Sequence, residues 1–171
     1  EYKNTCHNIG FDIVDQLGKI LKGKFNSAKY GDILKSKYAG KQIILLKPNT
    51  FMNLSGKAVL YWLKKEKIHT NNLIVIVDDL NINFGVSRLK PSGSDGGHNG
   101  LKDITNSLNT SNFPRLRFGI GNNFKKKDQV DFVLSKWNIE EANNLEHLIN
   151  KNVEIIFSSI KQSNKFLVLT S

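Results

Sequence analysis

The sequence predicts an α/β sandwich in one domain spanning residues 1–171. Unbroken aliphatic runs suited to buried strands alternate along the chain with segments of helical apolar spacing. The length of 171 residues fits one domain. No internal repeat, linker or low-complexity tract divides it.

Residues 8–22 carry Ile13, Val14, Leu17, Ile20 and Leu21 on one helical face, with Asp12, Asp15, Lys19 and Lys22 mostly opposite. Gly23 is the expected stop. Two strands follow at 30–37 and 42–47, the second built on the run Ile43 to Leu46, with a hairpin turn expected at Gly40. A second helix is expected over 54–67, where Ala58, Val59, Trp62 and Leu63 form its core face. Leu73 to Val77 is wholly aliphatic and reads as a central strand ending in Asp78-Asp79. Further strands are expected at 85–90 and 116–120, and the longest helical pattern runs over 139–160. Val130, Phe132 and Val133 form a short apolar segment of no clear type.

Between the strand at 85–90 and a helical pattern on Leu101, Ile104 and Leu108 lies a loop with four glycines in the eight residues 93–100. Glycine loses more backbone freedom on ordering than any other residue, so such a loop is expected where backbone approaches something closely or adopts positive φ. It presents His98 and Asn99 at a helix start. Asn99 could equally serve there only as a cap.

A hydrophobic fraction of 39% and a charged fraction of 23% describe a globular chain, not a disordered one. No apolar run approaches the ~20 residues of a membrane span. The single cysteine, Cys6, excludes an internal disulfide framework and fits a reducing compartment. The net charge of +10 points to a polyanionic partner, although free use of lysine gives the same sign without one.

Several chemistries fail on spacing. Gly56-Lys57 continues with Ala58 where a phosphate loop needs a hydroxyl, and Phe51 stands where its first glycine belongs. Gly119-Ile120-Gly121 opens like a dinucleotide fingerprint, but Phe124 replaces the third glycine. His7, His69, His98 and His147 are scattered, so no metal is expected. A Cys6 nucleophile is disfavoured, since neighbours Cys6 and His7 should point apart. A small-substrate esterase lacks a nucleophile elbow. What stays open is a histidine–carboxylate pair with amides around it: His7 before a helix, Asp78 at a strand end, Asn53 and Asn99 at loop–helix junctions. The same residues read blandly as a cap, a solvated turn and loop amides.

Longer motifs bear on that choice. Thr5-Cys6-His7-Asn8-Ile9-Gly10, Lys47-Pro48-Asn49-Thr50-Phe51-Met52-Asn53-Leu54-Ser55-Gly56 and Gly96-Gly97-His98-Asn99-Gly100-Leu101-Lys102 closely resemble the bacterial-type peptidyl-tRNA hydrolases. Asp78-Asp79-Leu80 and Phe113-Pro114-Arg115-Leu116-Arg117-Phe118-Gly119-Ile120-Gly121 match the same family in the same order. The resemblance extends to about residue 136 and implies a mixed central sheet surrounded by helices. It also implies a cytoplasmic monomer, needing no metal or cofactor, that cleaves the ester joining a peptide to the 3′ ribose of tRNA. By resemblance His7 is the base and Asp78 its partner; Tyr2, Met52, Asn53, His98 and Asn99 contact substrate; Lys90 and Arg117 hold a tRNA phosphate.

Three departures stand out. The family opens with a strand and an Asn-Pro-Gly turn, neither of which precedes Glu1, so the sequence looks truncated and its sheet is expected to be poorly stable. Cys6 replaces a usual basic residue, and Asn81 a common aspartate. A non-catalytic RNA-binding relative is the alternative, against which intact His7 and Asp78 argue.

Overall fold

The computed structural model describes residues 5–49, 54–123, 128–160 and 163–170. Its centre is β4 (Leu73–Asp79), buried at every residue because parallel neighbours flank it and helices cover both faces. In chain order the elements before it are α1 (Ile9–Ile20), β1 (Asn26–Ala28), β2 (Gly31–Tyr38), β3 (Lys41–Pro48) and α2 (Ser55–Glu66). After it come β5 (Ser87–Lys90), α3 (Asn99–Leu108), β6 (Arg115–Gly119), α4 (Gln129–Val133), α5 (Ile139–Ser159) and β7 (Lys165–Thr170). The strands form one mixed sheet in the order β1-β2-β3-β7-β4-β6-β5.

Side-chain alternation along the strands builds two cores. Ile43, Leu45, Ile74, Ile76, Phe166 and Val168 face α1 and α5, where they meet Ile9, Ile13, Leu17 and Ile156. Ile44, Leu46, Val75, Val77, Leu167 and Leu169 face α2 and α3, where they meet Val59, Trp62, Leu101 and Ile104. The sandwich expected from the sequence is therefore the one observed.

Local signals mostly hold. The β2–β3 hairpin turns at Ala39 and Gly40, both at positive φ, as a two-residue turn between right-twisted strands requires. α5 opens on a capping box in which Asn138 and Glu141 satisfy each other's backbone amides. Gly23 is not the stop of α1; Lys22 takes the left-handed position and the Gly23 amide closes the turn on the Gly18 carbonyl at 3.1 Å. Asp78 and Asp79 are no solvated turn either: they are the buried last residues of β4.

The largest difference lies at β7, which the helical and strand patterns had not picked out. It inserts between β3 and β4, parallel to both, with Leu45 opposite Val168 and Val75 opposite Leu169. All but the first of its six residues are buried. The four parallel strands β3, β7, β4 and β6 end on the same side, and the crevice beyond such ends is where an α/β sheet places ligands.

One glycine sets the distance between α1 and this sheet. A Cβ on Gly10 would lie 2.0 Å from Thr170 Oγ1 and 2.8 Å from its Cβ. Gly10→Ala should therefore lift the start of α1 off β7 and destabilise the fold by about 1–3 kcal/mol, the usual range for overpacking. Urea unfolding checks this, and an unchanged midpoint would show that the contact yields without loss.

Candidate active site

His7 stands in a 3-10 turn, Cys6–Asn8, that leads into α1. The turn is tied down from behind: the Cys6 amide donates to the Ser135 carbonyl at 3.0 Å, and Thr5 bridges to Lys136. Cys6 itself is buried beside Ser135, and burial raises its thiol pKa, so it is a packing residue and not a thiolate. The expectation that Cys6 and His7 point apart holds.

Across the sheet end, His7 Nδ1 lies 2.8 Å from Asp78 Oδ1. Burial opposes ionisation of Asp78, but the hydrogen bond to His7 and the nearness of the His7 and His98 rings outweigh it and hold the carboxyl well below the usual range. An ionised carboxylate can only accept, so the proton of the neutral His7 ring sits on Nδ1 and Nε2 keeps its lone pair. Burial also works against the His7 imidazolium, yet the bond to Asp78 and its charge prevail and raise the His7 pKa.

His98, carried by the start of α3, approaches the same carboxylate oxygen. Gly96 and Gly97, at φ +61° and +84°, turn the loop back on itself just before it. His98, not Asn99, is the N-cap: its Nδ1 accepts from the Leu101 amide at 3.3 Å. Its proton therefore sits on Nε2, which faces Asp78 Oδ1 at 3.4 Å without a directed hydrogen bond. Asn99 is freed from capping; it is exposed and lines the pocket.

The pocket encloses about 550 Å³, and His7, Asp78, His98, Asn99 and Arg117 all line it. Asp79 belongs there too, though the sequence reading gave it no role. Its carboxylate accepts from Arg117 Nη1 at 3.0 Å and from the Asn81 amide at 2.8 Å. Arg117 also donates to the Ser94 carbonyl, while buried Arg115 donates to those of Gly93 at 2.6 Å and Ser94 at 3.2 Å. The two arginines tether the base of the glycine loop, so Arg117 is engaged within the protein and not held out as a free cation. Lys90 is not brought to the pocket. It pairs in register with Arg115, two residues, or about 7 Å, beyond exposed Arg88, which sits opposite Arg117. Tyr2, Met52 and Asn53 lie outside the described residues.

The scatter of histidines in the sequence concealed a convergence. His7, Asp78 and His98 each bring one ligand atom to within 4.8 Å of the other two.

The chain matches the family described as Peptidyl-tRNA hydrolase over residues 1–168. A peptidyl-tRNA hydrolase of Parabacteroides distasonis is 50% identical over 158 residues, covering 92% of this chain and 84% of that protein. One of Aquifex aeolicus is 42% identical over 165 residues, covering 95% and 85%. Among solved structures, a peptidyl-tRNA hydrolase in complex with N-propanol is similar at a TM-score of 0.87 and 33% identity, covering 93% of this chain and 82% of that one. A peptidyl-tRNA hydrolase from Acinetobacter baumannii is similar at 0.79 and 31%, covering 95% and 89%.

Proposed function

We propose a mechanism from one premise: this chain belongs to the peptidyl-tRNA hydrolase family and hydrolyses the ester between a peptide and the 3′ ribose of tRNA. The observation that carries the mechanism is the 2.8 Å contact of His7 Nδ1 with ionised Asp78, which leaves Nε2 free toward the pocket. His7 Nε2 takes a proton from water as its oxygen attacks the ester carbonyl. The oxyanion that forms is stabilised by amide donors, Asn99 among them, near the positive end of α3. On collapse the carbon–oxygen bond to the ribose breaks, and the His7 imidazolium returns the proton to the departing 3′ oxygen. Asp78 fixes the ring's tautomer and stabilises its charged form without itself gaining a proton.

Exposed Arg88 and the Arg117–Asp79 pair beside the pocket offer a phosphate a cationic rim, Arg117 exchanging part of its bond to Asp79 for the ligand. Lys90 would act farther along the same strand. Tyr2, Met52 and Asn53 keep their proposed substrate contacts on the resemblance alone. The proposal includes one domain, 1–171, working as a monomer in the cytoplasm, where peptidyl-tRNA arises. Among the described residues no helix is long and apolar enough to cross a membrane.

The raised His7 pKa fixes the pH dependence. The base form accumulates only as pH rises, so ester release from N-blocked aminoacyl-tRNA should climb through a midpoint above about 6.5, the ordinary histidine value. Asp78→Asn removes the charge that raises the pKa and leaves the burial that lowers it. Its midpoint should move to lower pH while the plateau falls by about 10²–10⁴-fold. A midpoint that stays in place would remove Asp78 as the partner of the base. The same shifts govern stability: the His7 contribution is full below about pH 6.5 and fades as pH rises through the folded pKa. The Asp78 contribution is present above the ordinary carboxylate pKa and fades in acid.

A further inference from the structure

We infer that His7, Asp78 and His98 form a capture site for a divalent transition metal of the zinc class, and that the captured ion switches the hydrolase off. Two histidines and a carboxylate, one ligand atom each within 4.8 Å of the others, are a three-ligand zinc set with an open position toward the pocket. In a tetrahedral site with bonds of about 2.0–2.1 Å, ligand atoms stand about 3.3–3.4 Å apart. His98 Nε2 and Asp78 Oδ1 already stand 3.4 Å apart, whereas His7 Nδ1 and Asp78 Oδ1, at 2.8 Å, must open by about half an ångström to share an ion. The state of His98 favours its taking part. Its side chain is nine-tenths buried, and its Nε2 lies 3.4 Å from Asp78 Oδ1 without a directed hydrogen bond. Moving the ring proton off Nε2 to free a ligand lone pair therefore breaks no well-formed bond there.

The local field suits a cation despite the chain's positive net charge. Asp78 is ionised, and Arg117, which lines the same pocket, is paired with Asp79. Coordination through His98 Nε2 moves that ring's proton to Nδ1 and gives up only the 3.3 Å cap to the Leu101 amide. The consequence for catalysis holds whichever nitrogen of His7 binds. Through Nε2 the lone pair that would accept water's proton is consumed; through Nδ1 the ring proton is forced onto Nε2, which becomes a donor. Either way the base is lost and no bond of the substrate is touched, so a chelator restores turnover. Only this inhibitory consequence rests on the proposed role of His7; the binding does not.

The test is calorimetric titration of Zn²⁺ into the whole chain, with Ni²⁺ as a paramagnetic probe of the four imidazoles. The expected result is one ion per chain, selective broadening of the His7 and His98 resonances with His69 and His147 left sharp, and inhibition reversed by chelator. His98→Asn keeps a side-chain oxygen to cap α3 but removes the ligand nitrogen, and should weaken Zn²⁺ binding at least tenfold. Its thermal unfolding confirms that it is folded. Cys6→Ser should leave the isotherm unchanged. No saturable binding, broadening of all four histidines alike, or equal affinity in His98→Asn would each overturn the site. Saturable binding at His7 and His98 that leaves turnover intact would uphold the site and instead remove His7 as the base.

Discussion

His7→Ala slows ester release by about 10²–10⁴-fold while tRNA affinity persists, because the substitution deletes the proton acceptor and leaves the cationic rim in place. That factor corresponds to about 3–5 kcal/mol of transition-state stabilisation. His98 cannot take over. The Nδ1 of its ring is committed to the Leu101 amide, and its Nε2 bears the proton facing Asp78. Loss of His7 also leaves the buried Asp78 carboxylate short of a donor, which should lower stability by about 1–3 kcal/mol, less than a typical fold's margin. Single-turnover release and filter binding, run on the same preparation, separate the effects. Near-normal release would end the assignment, and so would release and binding that fall together.

The site was legible in part. The run Leu73–Val77 identifies a buried parallel strand, and the rule that ligands gather beyond the carboxyl ends of such strands puts weight on Asp78 from the sequence alone. The approach of His7, 71 residues away in sequence, comes only from the family motifs, since nothing in spacing says which helix start faces which strand end. Two assignments at the site were hidden for a physical reason. Asparagine is a strong helix cap, so the pair His98-Asn99 suggests capping by Asn99, whereas His98 caps and frees Asn99 for the pocket. Arg117 reads as an available cation, but its partners Asp79 and Ser94 lie 38 and 23 residues away and become neighbours only in the fold.

The fold was legible wherever a strand's burial pattern was bounded by its own turn signals, as at β2, β3 and β4. β1 has only three residues, none of them buried, and carries no such pattern. β7 carries one: Phe166-Leu167-Val168-Leu169 is as unbroken an apolar run as the core of β4. It follows the longest helix, however, and period alone does not separate a short buried strand from a continuing helix.

β7 is consequently the most sensitive test of the whole arrangement. Leu167→Asp places a carboxylate among Leu73, Val75 and the α2 and α3 core, where Leu167 is fully buried. Removing the leucine side chain costs about 2–5 kcal/mol, and burying a charge with no partner there adds several more. Together these reach the 5–15 kcal/mol by which folded domains are stable, so the variant should lack a cooperative thermal transition. Leu167→Val, which keeps the apolar contact, should fold with a loss of about 0.5–1.5 kcal/mol. The damage extends to chemistry because Gly10 rests on Thr170, so the seat of α1, and with it the place of His7 against Asp78, depends on β7. Circular dichroism and urea unfolding decide the matter. If Leu167→Asp unfolds at the same denaturant concentration as the parent chain, Leu167 is not in the core and the central position of β7 is wrong.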